Sequence, residues 1–249
     1  MIKDVKDTLL DRRSVRRYER EALAPEDLEF IREAIRNTPT SYNGQQFSVI
    51  EVSDQGIKDE LAEIVGQKQL KTAALDLCFL SDYNKIRVAA EAKGLKYPPF
   101  QDTTDGLMVG VIDASLALMS AVAAANSRGL GCCPIGYART VNPARVSELL
   151  ELPDGVFLVC ALSIGIPREI PDLKPKQPAD LLFFRDKYGV AAMPEKLLAY
   201  DREIIKYHET RSENKSGEDW IGQILSYYKE GLTYDMLAAL KARGYGMES

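Results

Sequence analysis

Five of the ten residues from Asp11 to Arg20 are arginines, set against two acids, in a chain whose formal net charge is -5. A guanidinium is a planar fork of N–H donors that matches the oxygens of a phosphate or carboxylate, and Ser14 places a short hydroxyl among them. For Arg12, Arg13 and Arg16 two readings are open: a solvated helix end, or a site for an anion such as phosphate. A second basic element lies far along the chain, where Pro175 separates Lys174 from Lys176. Proline fixes φ, and on an extended segment residues two apart share a face. This element is either a second part of an anion site or an exposed polar linker.

A third set is polar and uncharged. Ser41, Asn43 and Gln45 alternate within TSYNGQQ, residues 40–46. Amide side chains both donate and accept, which suits the edge of a planar heterocycle such as flavin; the same residue types also make ordinary turns. The stretch GLGCCPIG, 129–136, carries glycines that let backbone N–H groups approach a ligand closely. Its adjacent Cys132 and Cys133 admit a redox role or a plain need for small side chains.

Absences narrow the chemistry. There is no GxGxxG or GxxxxGK[ST] run, so neither common nucleotide-binding motif is supported. GxSxG is also missing, and a Ser–His–Asp triad would rest wholly on the single histidine, His208. With one histidine and no CxxC, no metal site is expected. The net negative charge argues against a nucleic-acid partner. No apolar run of signal-peptide length opens the chain, so a cytoplasmic location is expected. Residues 106–125 are long and apolar enough to span a membrane. However, Asp113 sits mid-stretch, at a cost of about 2.5–3.5 kcal/mol in lipid. The reading is therefore a core helix over 105–127, apolar on nearly all sides, sheltered by a sheet or a partner subunit, with no membrane partner.

The elements that must position these groups follow from periodicity and punctuation. A short amphipathic helix is expected over 3–10. A longer one opens at Pro25, with Leu28, Ile31 and Ile35 at helical spacing. Strands are expected over 47–53, 75–82 and 156–167, the last internal to its sheet because it is continuously apolar. A helix is expected near 55–66, and another opens at Asn142–Pro143 and ends at the turn LPDG, 152–155. Residues 83–104 read as an irregular flap, and 128–140 as a loop. Four prolines exclude regular structure over 167–178. Residues 183–249 read as helical and too polar to form a core alone, which places the domain division at 1–182 and 183–249.

Taken in order, six stretches resemble the FMN-dependent nitroreductase and flavin reductase family, in particular its branch with a long C-terminal tail. They are RRSVRRY (12–18), PTSYNGQQF (39–47), GQKQLKTAALDLCFLSD (66–82), GLGCCPIG (129–136), IPDLKPKQP (170–178) and YDREIIKYHETRSENKSGEDW (200–220). The family pattern has proline and tryptophan where this chain has Gln46 and Phe47. The resemblance implies an α+β fold: a three-layer sandwich with a mostly antiparallel central sheet flanked by helices, in a domain-intertwined homodimer. It implies FMN, with Arg13, Ser14 and Arg16 on the phosphate and ribityl chain and Arg12 near the flavin's polar edge. Ser41, Asn43 and Gln45 would line the flavin, Gln67 would approach the ring, and Ile135 and Gly136 would lie beside it through backbone groups. Lys174 and Lys176 would complete the phosphate site. Arg211 and Lys215 are the candidates for gripping NADPH, although Glu213 between them weakens a preference for NADPH over NADH. No side chain is implied as catalytic, because the hydride passes through flavin N5. The implied reaction is ping-pong transfer from NADPH or NADH to a nitroaromatic, a quinone or free flavin. The alternatives are a related flavoenzyme with another acceptor and a non-enzymatic flavin-binding protein.

Overall fold

A computed structural model describes residues 3–246. In chain order the helices and strands are α1 (Val5–Leu10), α2 (Pro25–Arg36), β1 (Phe47–Val52), α3 (Gln55–Val65), α4 (Gln69–Thr72), β2 (Leu75–Asp82), α5 (Asn84–Ala92), α6 (Thr104–Ser127), β3 (Gly131–Ile135), α7 (Pro143–Leu149), β4 (Val156–Gly165), α8 (Met193–Thr210), α9 (Trp220–Gly231) and α10 (Met236–Lys241). Their ends obey local chemistry. Pro25 occupies the first turn of α2, with Glu26 and Asp27 beside it and Arg36 in the last turn, each placed to suit the helix dipole. Asp54 caps α3 by accepting from the Ile57 N–H, and Gly66 closes that helix at φ 70°.

The four strands form one antiparallel sheet in the order β1-β2-β4-β3. β2 and β4 are central and buried almost throughout, which is why both read as continuous apolar runs. Alternation along β2 sorts the core. Leu75, Leu77 and Phe79 face α2 and α6, whereas Cys78 and Leu80 face α3, α4 and α7. The result is the expected helix–sheet–helix sandwich. Between β2 and β4 the register slips at Phe79/Leu80, leaving Val159 as the extra residue of a bulge. Its carbonyl accepts a hydrogen bond from Arg139 Nη1 at 3.2 Å.

Two expectations are corrected. Residues 128–140 are not all loop, because Gly131–Ile135 pairs with β4 as the edge strand β3; an edge position tolerates the Pro134 that argued against a strand. Residues 83–104 are not irregular throughout. Asn84–Ala92 is helical, favoured by its alanines and an Arg87–Glu91 ion pair one turn apart at 2.8 Å. The central helix is apolar on both its buried and its exposed face, as expected. Its Ala114, Ala117, Ala121 and Ala125 are fully buried, while Met108, Ile112, Leu116 and Met119 form an exposed stripe. By length and composition α6 could cross a membrane, but its alanine face belongs to the sheet's core.

The chain divides into two compact units. One runs to Ile170 and resumes at Asp235; the other is Pro171–Tyr234. In the first, the returning segment is locked in place. Tyr245 is fully buried, its hydroxyl lies 2.8 Å from Ser81 Oγ, and its ring meets Tyr83 and Phe157 edge-on. The Gly246 N–H donates to Asp102 Oδ1 at 2.7 Å. The second unit is organised around α8, whose Tyr200, Ile204 and His208 are buried. Tyr200 packs on Trp220 at 5.5 Å between ring centroids.

Candidate functional site

The basic segment lies against the edge of the sheet. Ser14 bridges Cys132 in parallel and Tyr18 bridges Pro167 in antiparallel; the Val15 N–H donates to the Cys132 carbonyl at 3.0 Å. These bonds satisfy the backbone and leave the arginine side chains to other tasks. Arg13 Nη1 donates to Asp11 O, and Arg16 Nη1 to Ser14 O. Among the described residues, Arg12, Arg13 and Arg16 form no ion pair. Arg13 Nε is buried and has no hydrogen-bond partner. Three uncompensated guanidiniums, one with an orphaned buried donor, form a potential that attracts an anion. Arg17, to which the sequence assigned no task, pairs with Glu169 at 3.5 Å. Glu169 also accepts from the backbone N–H groups of Arg16 and Arg17, so it fixes the segment's course.

Two glycines make the seat. Gly131 and Gly165 are cross-strand partners on β3 and β4. A Cβ at Gly131 would stand 2.8 Å from Val15 side-chain atoms, and one at Gly165 would stand 2.8 Å from the Tyr18 ring. Both positions therefore need hydrogen in place of a side chain. The buried Tyr18 hydroxyl donates to Val15 O at 2.6 Å and also lies 3.2 Å from Ser163 O. This ring ties the arginine segment to the core of the sheet, a role not legible in a motif scored for its charges.

β3 brings further predicted residues to the same edge. Cys132 and Cys133 alternate across the strand, one in each layer of core. Both are buried, unpaired thiols, and burial raises both, Cys132 to about 11. Side chains on opposite faces do not meet, so the redox pair contemplated from sequence has no geometric basis. Ile135 ends the strand buried, and Gly136 opens a tight turn over which Arg139 folds, with its Nη1 3.0 Å from where a Gly136 Cβ would stand. Gln67 lies in the turn between α3 and α4, its Oε1 accepting from Gln69 Nε2 at 2.8 Å. Gln69 in turn opposes the rise that burial gives the Cys133 thiol. Cys133 faces Ser163, which faces Asp76, in one row across the sheet. Asp76 is fully buried, accepts from Ser163 Oγ at 2.5 Å and has the buried Lys58 Nζ at 3.9 Å. Burial pushes its carboxyl up to about 7, against the opposing effects of Ser163 and Lys58.

Ser41, Asn43 and Gln45 occupy a different corner. They precede β1, on the sheet edge away from β3, next to Phe47, whereas Ser14 sits level with the Val52 end of that strand. Tyr42, Asn43 and Gln45 have φ of 59°, 51° and 51°, each a left-handed conformation costing on the order of 1 kcal/mol for a non-glycine residue. A Cβ at Gly44 would stand 2.4 Å from the end of the buried Gln46 side chain, which would have to shift. What holds the loop is Asp113, read from the sequence only as an objection to a membrane helix. Its two carboxyl oxygens accept from the Ser41 and Gln46 N–H groups, at 3.0 and 3.3 Å. The available signal was the lone acid in an apolar helix, since a buried acid needs partners. Tyr42 stands 81% exposed at the loop's tip.

The remaining candidates are in the second unit. Lys174 and Lys176 lie on its irregular opening stretch. Arg211 follows α8, its guanidinium bonded to the Asn214 carbonyl and lying over the Tyr207 ring at 5.9 Å, and Lys215 is exposed in the same bend. His208 closes this bend: its Nδ1–H donates to Glu218 O at 2.7 Å, and its backbone carbonyl accepts from the Ser216 N–H. Among the described residues there is no cluster able to hold a metal ion.

A sheet–helix sandwich with an anion-seeking edge and a polar, strained loop defines a class of small-ligand-binding α+β protein. Comparison with known proteins gives the family. The chain belongs to the nitroreductase family, whose sequence pattern matches residues 9–166, while that of the nitroreductase family C-terminal domain matches 174–248. It is 34% identical to the FMN reductase [NAD(P)H] of Bacillus subtilis over 98% of this chain and 99% of that protein. Among solved structures, B. megaterium NfrA2 superposes with a TM-score of 0.92 at 33% identity, covering 98% of this chain and 99% of the other. The NfrA1 nitroreductase of B. subtilis gives 0.93 at 29% identity, covering 98% and 100%.

Proposed function

We propose that the chain is an FMN-dependent NAD(P)H oxidoreductase acting as a cytoplasmic homodimer, reducing a nitroaromatic, a quinone or free flavin. The observation that carries this reading is the set of uncompensated guanidiniums at the sheet edge, with the orphaned Arg13 Nε. A phosphate oxygen satisfies that donor, and Arg16 and Ser14 supply further ones. Arg12 is assigned to the flavin's polar edge. Ile135, Gly136 and Gln67 are assigned to the ring, and Lys174 and Lys176 to the same phosphate. When bound, FMN supplies the ring that accepts a hydride at N5 from the reduced nicotinamide and returns the electrons to an oxidised acceptor in a second half-reaction. The protein's part is to orient that ring and tune its surroundings; cationic side chains nearby favour a reduced, anionic ring.

The homodimer is supported by two features. Ser41, Asn43 and Gln45 lie three strand spacings from β3, about 14 Å, and toward the opposite end of the strands. A two-fold axis lets one chain's loop complete the other chain's basic edge. The exposed stripe of Met108, Ile112, Leu116 and Met119 offers an apolar face for that contact. Within this arrangement residues 1–182 are assigned as the flavin-binding core and 183–249 as a helical extension, with Arg211 and Lys215 meeting the 2′-phosphate of NADPH. The B. subtilis relative is named for NAD(P)H, which covers both nicotinamide donors.

The test is direct. Protein purified after expression with ample flavin should be yellow, release FMN on denaturation, and bleach when NADPH is added without oxygen. Subsequent nitroaromatic, quinone or free FMN should restore the colour, and the fastest of the three identifies the acceptor class. Colour that NADPH fails to bleach supports a flavin-binding protein instead, and no flavin at all contradicts the assignment.

A further inference from the structure

We propose that Asp113 is the positioning residue that holds the 41–46 loop in its flavin-lining shape, so that a core helix sets the geometry of this half of the site. The proposal rests on the reading that Ser41, Asn43 and Gln45 line the flavin. Three observations carry it. Asp113 is fully buried, and among the described residues it has no cationic partner within 4 Å. Its oxygens are used by two backbone N–H groups, those of Ser41 and Gln46, which bracket the loop. Between these two anchors lie three non-glycine residues with positive φ, and within the chain's described core no other run of six residues holds so many.

The loop is thus gripped at both ends by one side chain, and its strained interior is set by that grip. An acid placed mid-helix for stability alone would be poorly chosen, because an apolar residue fills the same space without desolvation. Backbone polarity is met on the other side as well. Lys85 Nζ donates to the carbonyls of Gln45 and Phe47, at 3.1 and 2.6 Å, and Thr40 Oγ1 accepts from the Gln45 N–H at 3.2 Å. The Gln46 bond is one that a chain with proline at this position lacks, since proline has no N–H. Asp113 also follows Ile112 of the exposed stripe. The helix proposed to meet the partner therefore carries the clamp for the loop proposed to enter the partner's site.

The experiment combines amide exchange with FMN affinity. In the wild-type protein without flavin, the Ser41 and Gln46 amides should exchange at least about a hundredfold slower than that of Tyr42. In Asp113→Asn one acceptor becomes a donor facing an N–H. Exchange at Ser41 and Gln46 should then rise to loop rates while Val49 and Ile50 stay protected, and the FMN Kd should rise roughly tenfold to a hundredfold. A second effect separates positioning from general weakening. Asn43→Ala should raise the Kd in the wild-type background and add little in Asp113→Asn, because the two changes act through one loop. Unprotected Ser41 and Gln46 amides in the unmutated protein overturn the clamp, without need of any variant. A loosened loop with unchanged FMN affinity overturns the positioning role. If Ser41→Ala and Asn43→Ala themselves leave the Kd unchanged, the flavin-lining assignment fails first, a result distinct from failure of the clamp.

Discussion

The two halves of the proposed site are held by different physics. Residues 14–18 are held by ladder-like backbone bonds, a glycine-floored notch and a buried tyrosine, and none of them has a positive φ. Residues 41–46 are held by a buried acid and are strained. The difference fits the tasks proposed for the two segments. An anion is bound by charges that the fold leaves unpaired, so the backbone must be secured by something other than those charges. A ring edge is met by short polar side chains whose direction depends on φ, so the loop needs a fixed shape more than a fixed charge.

The comparison can be broken at several points. The largest effect is expected from Gly165→Ala, which puts a methyl group within 2.8 Å of Tyr18. Overpacking of this kind costs about 1–3 kcal/mol, and displacement of the segment should also lower FMN affinity more than tenfold, measured by fluorescence titration; an Asn43→Ala control should show the affinity loss without the stability loss. Arg13→Ala comes next. Loss of a charge-assisted bond is worth about 1.5–3 kcal/mol, so the FMN Kd should rise roughly tenfold to a hundredfold while the thermal midpoint of the flavin-free protein is unchanged. Tyr18→Phe keeps the ring and deletes the hydroxyl; a loss of about 1 kcal/mol of stability is expected, visible in urea denaturation.

Asp76 gives a pH-dependent test of the polar row behind the basic edge. Its carboxyl is raised to about 7 when folded, above the ordinary range near 4. Between those values the folded state keeps a proton that the unfolded chain has released, so stability falls as pH rises across the window. Asp76→Asn should lack this fall, and its stability relative to wild type should improve from pH 4 to pH 7. A constant difference between the two proteins across that range would show that Asp76 is ionised throughout. The smallest effect is expected at the second unit, where alanine at both Arg211 and Lys215 should lower the ratio of kcat/KM for NADPH over NADH severalfold and leave FMN affinity unchanged.

Much of the fold could be read from the chain. β2 matched its expected ends at Leu75 and Asp82, and α2 opened at the proline that marks its first turn. Two stretches misled. Gly131–Ile135 carries the residues of a loop, and only its pairing with β4 makes it a strand; such pairing is a long-range fact that no local composition encodes. Tyr245 was read as part of a polar tail, yet it is fully buried beside Ser81, because the chain returns to its first unit after the excursion. In the site, charges and amides were legible as chemistry. The groups that place them, namely Tyr18, Glu169, Gly131, Gly165 and Asp113, were not, since their roles depend on partners more than 60 positions away.

In the proposed dimer each flavin site takes its basic edge from one chain and its polar loop from the other, and subunit complementation is the decisive test. Differently tagged chains carrying Arg13→Ala, or Ser41→Ala with Asn43→Ala, are each expected to lose most of their FMN as homodimers. Co-expressed and isolated through both tags, the mixed dimer contains one site with both defects and one with neither. One FMN should be bound per mixed dimer, with half the wild-type activity per dimer. A mixed dimer as empty as its two parents would contradict this arrangement and place both elements of each site on the same chain.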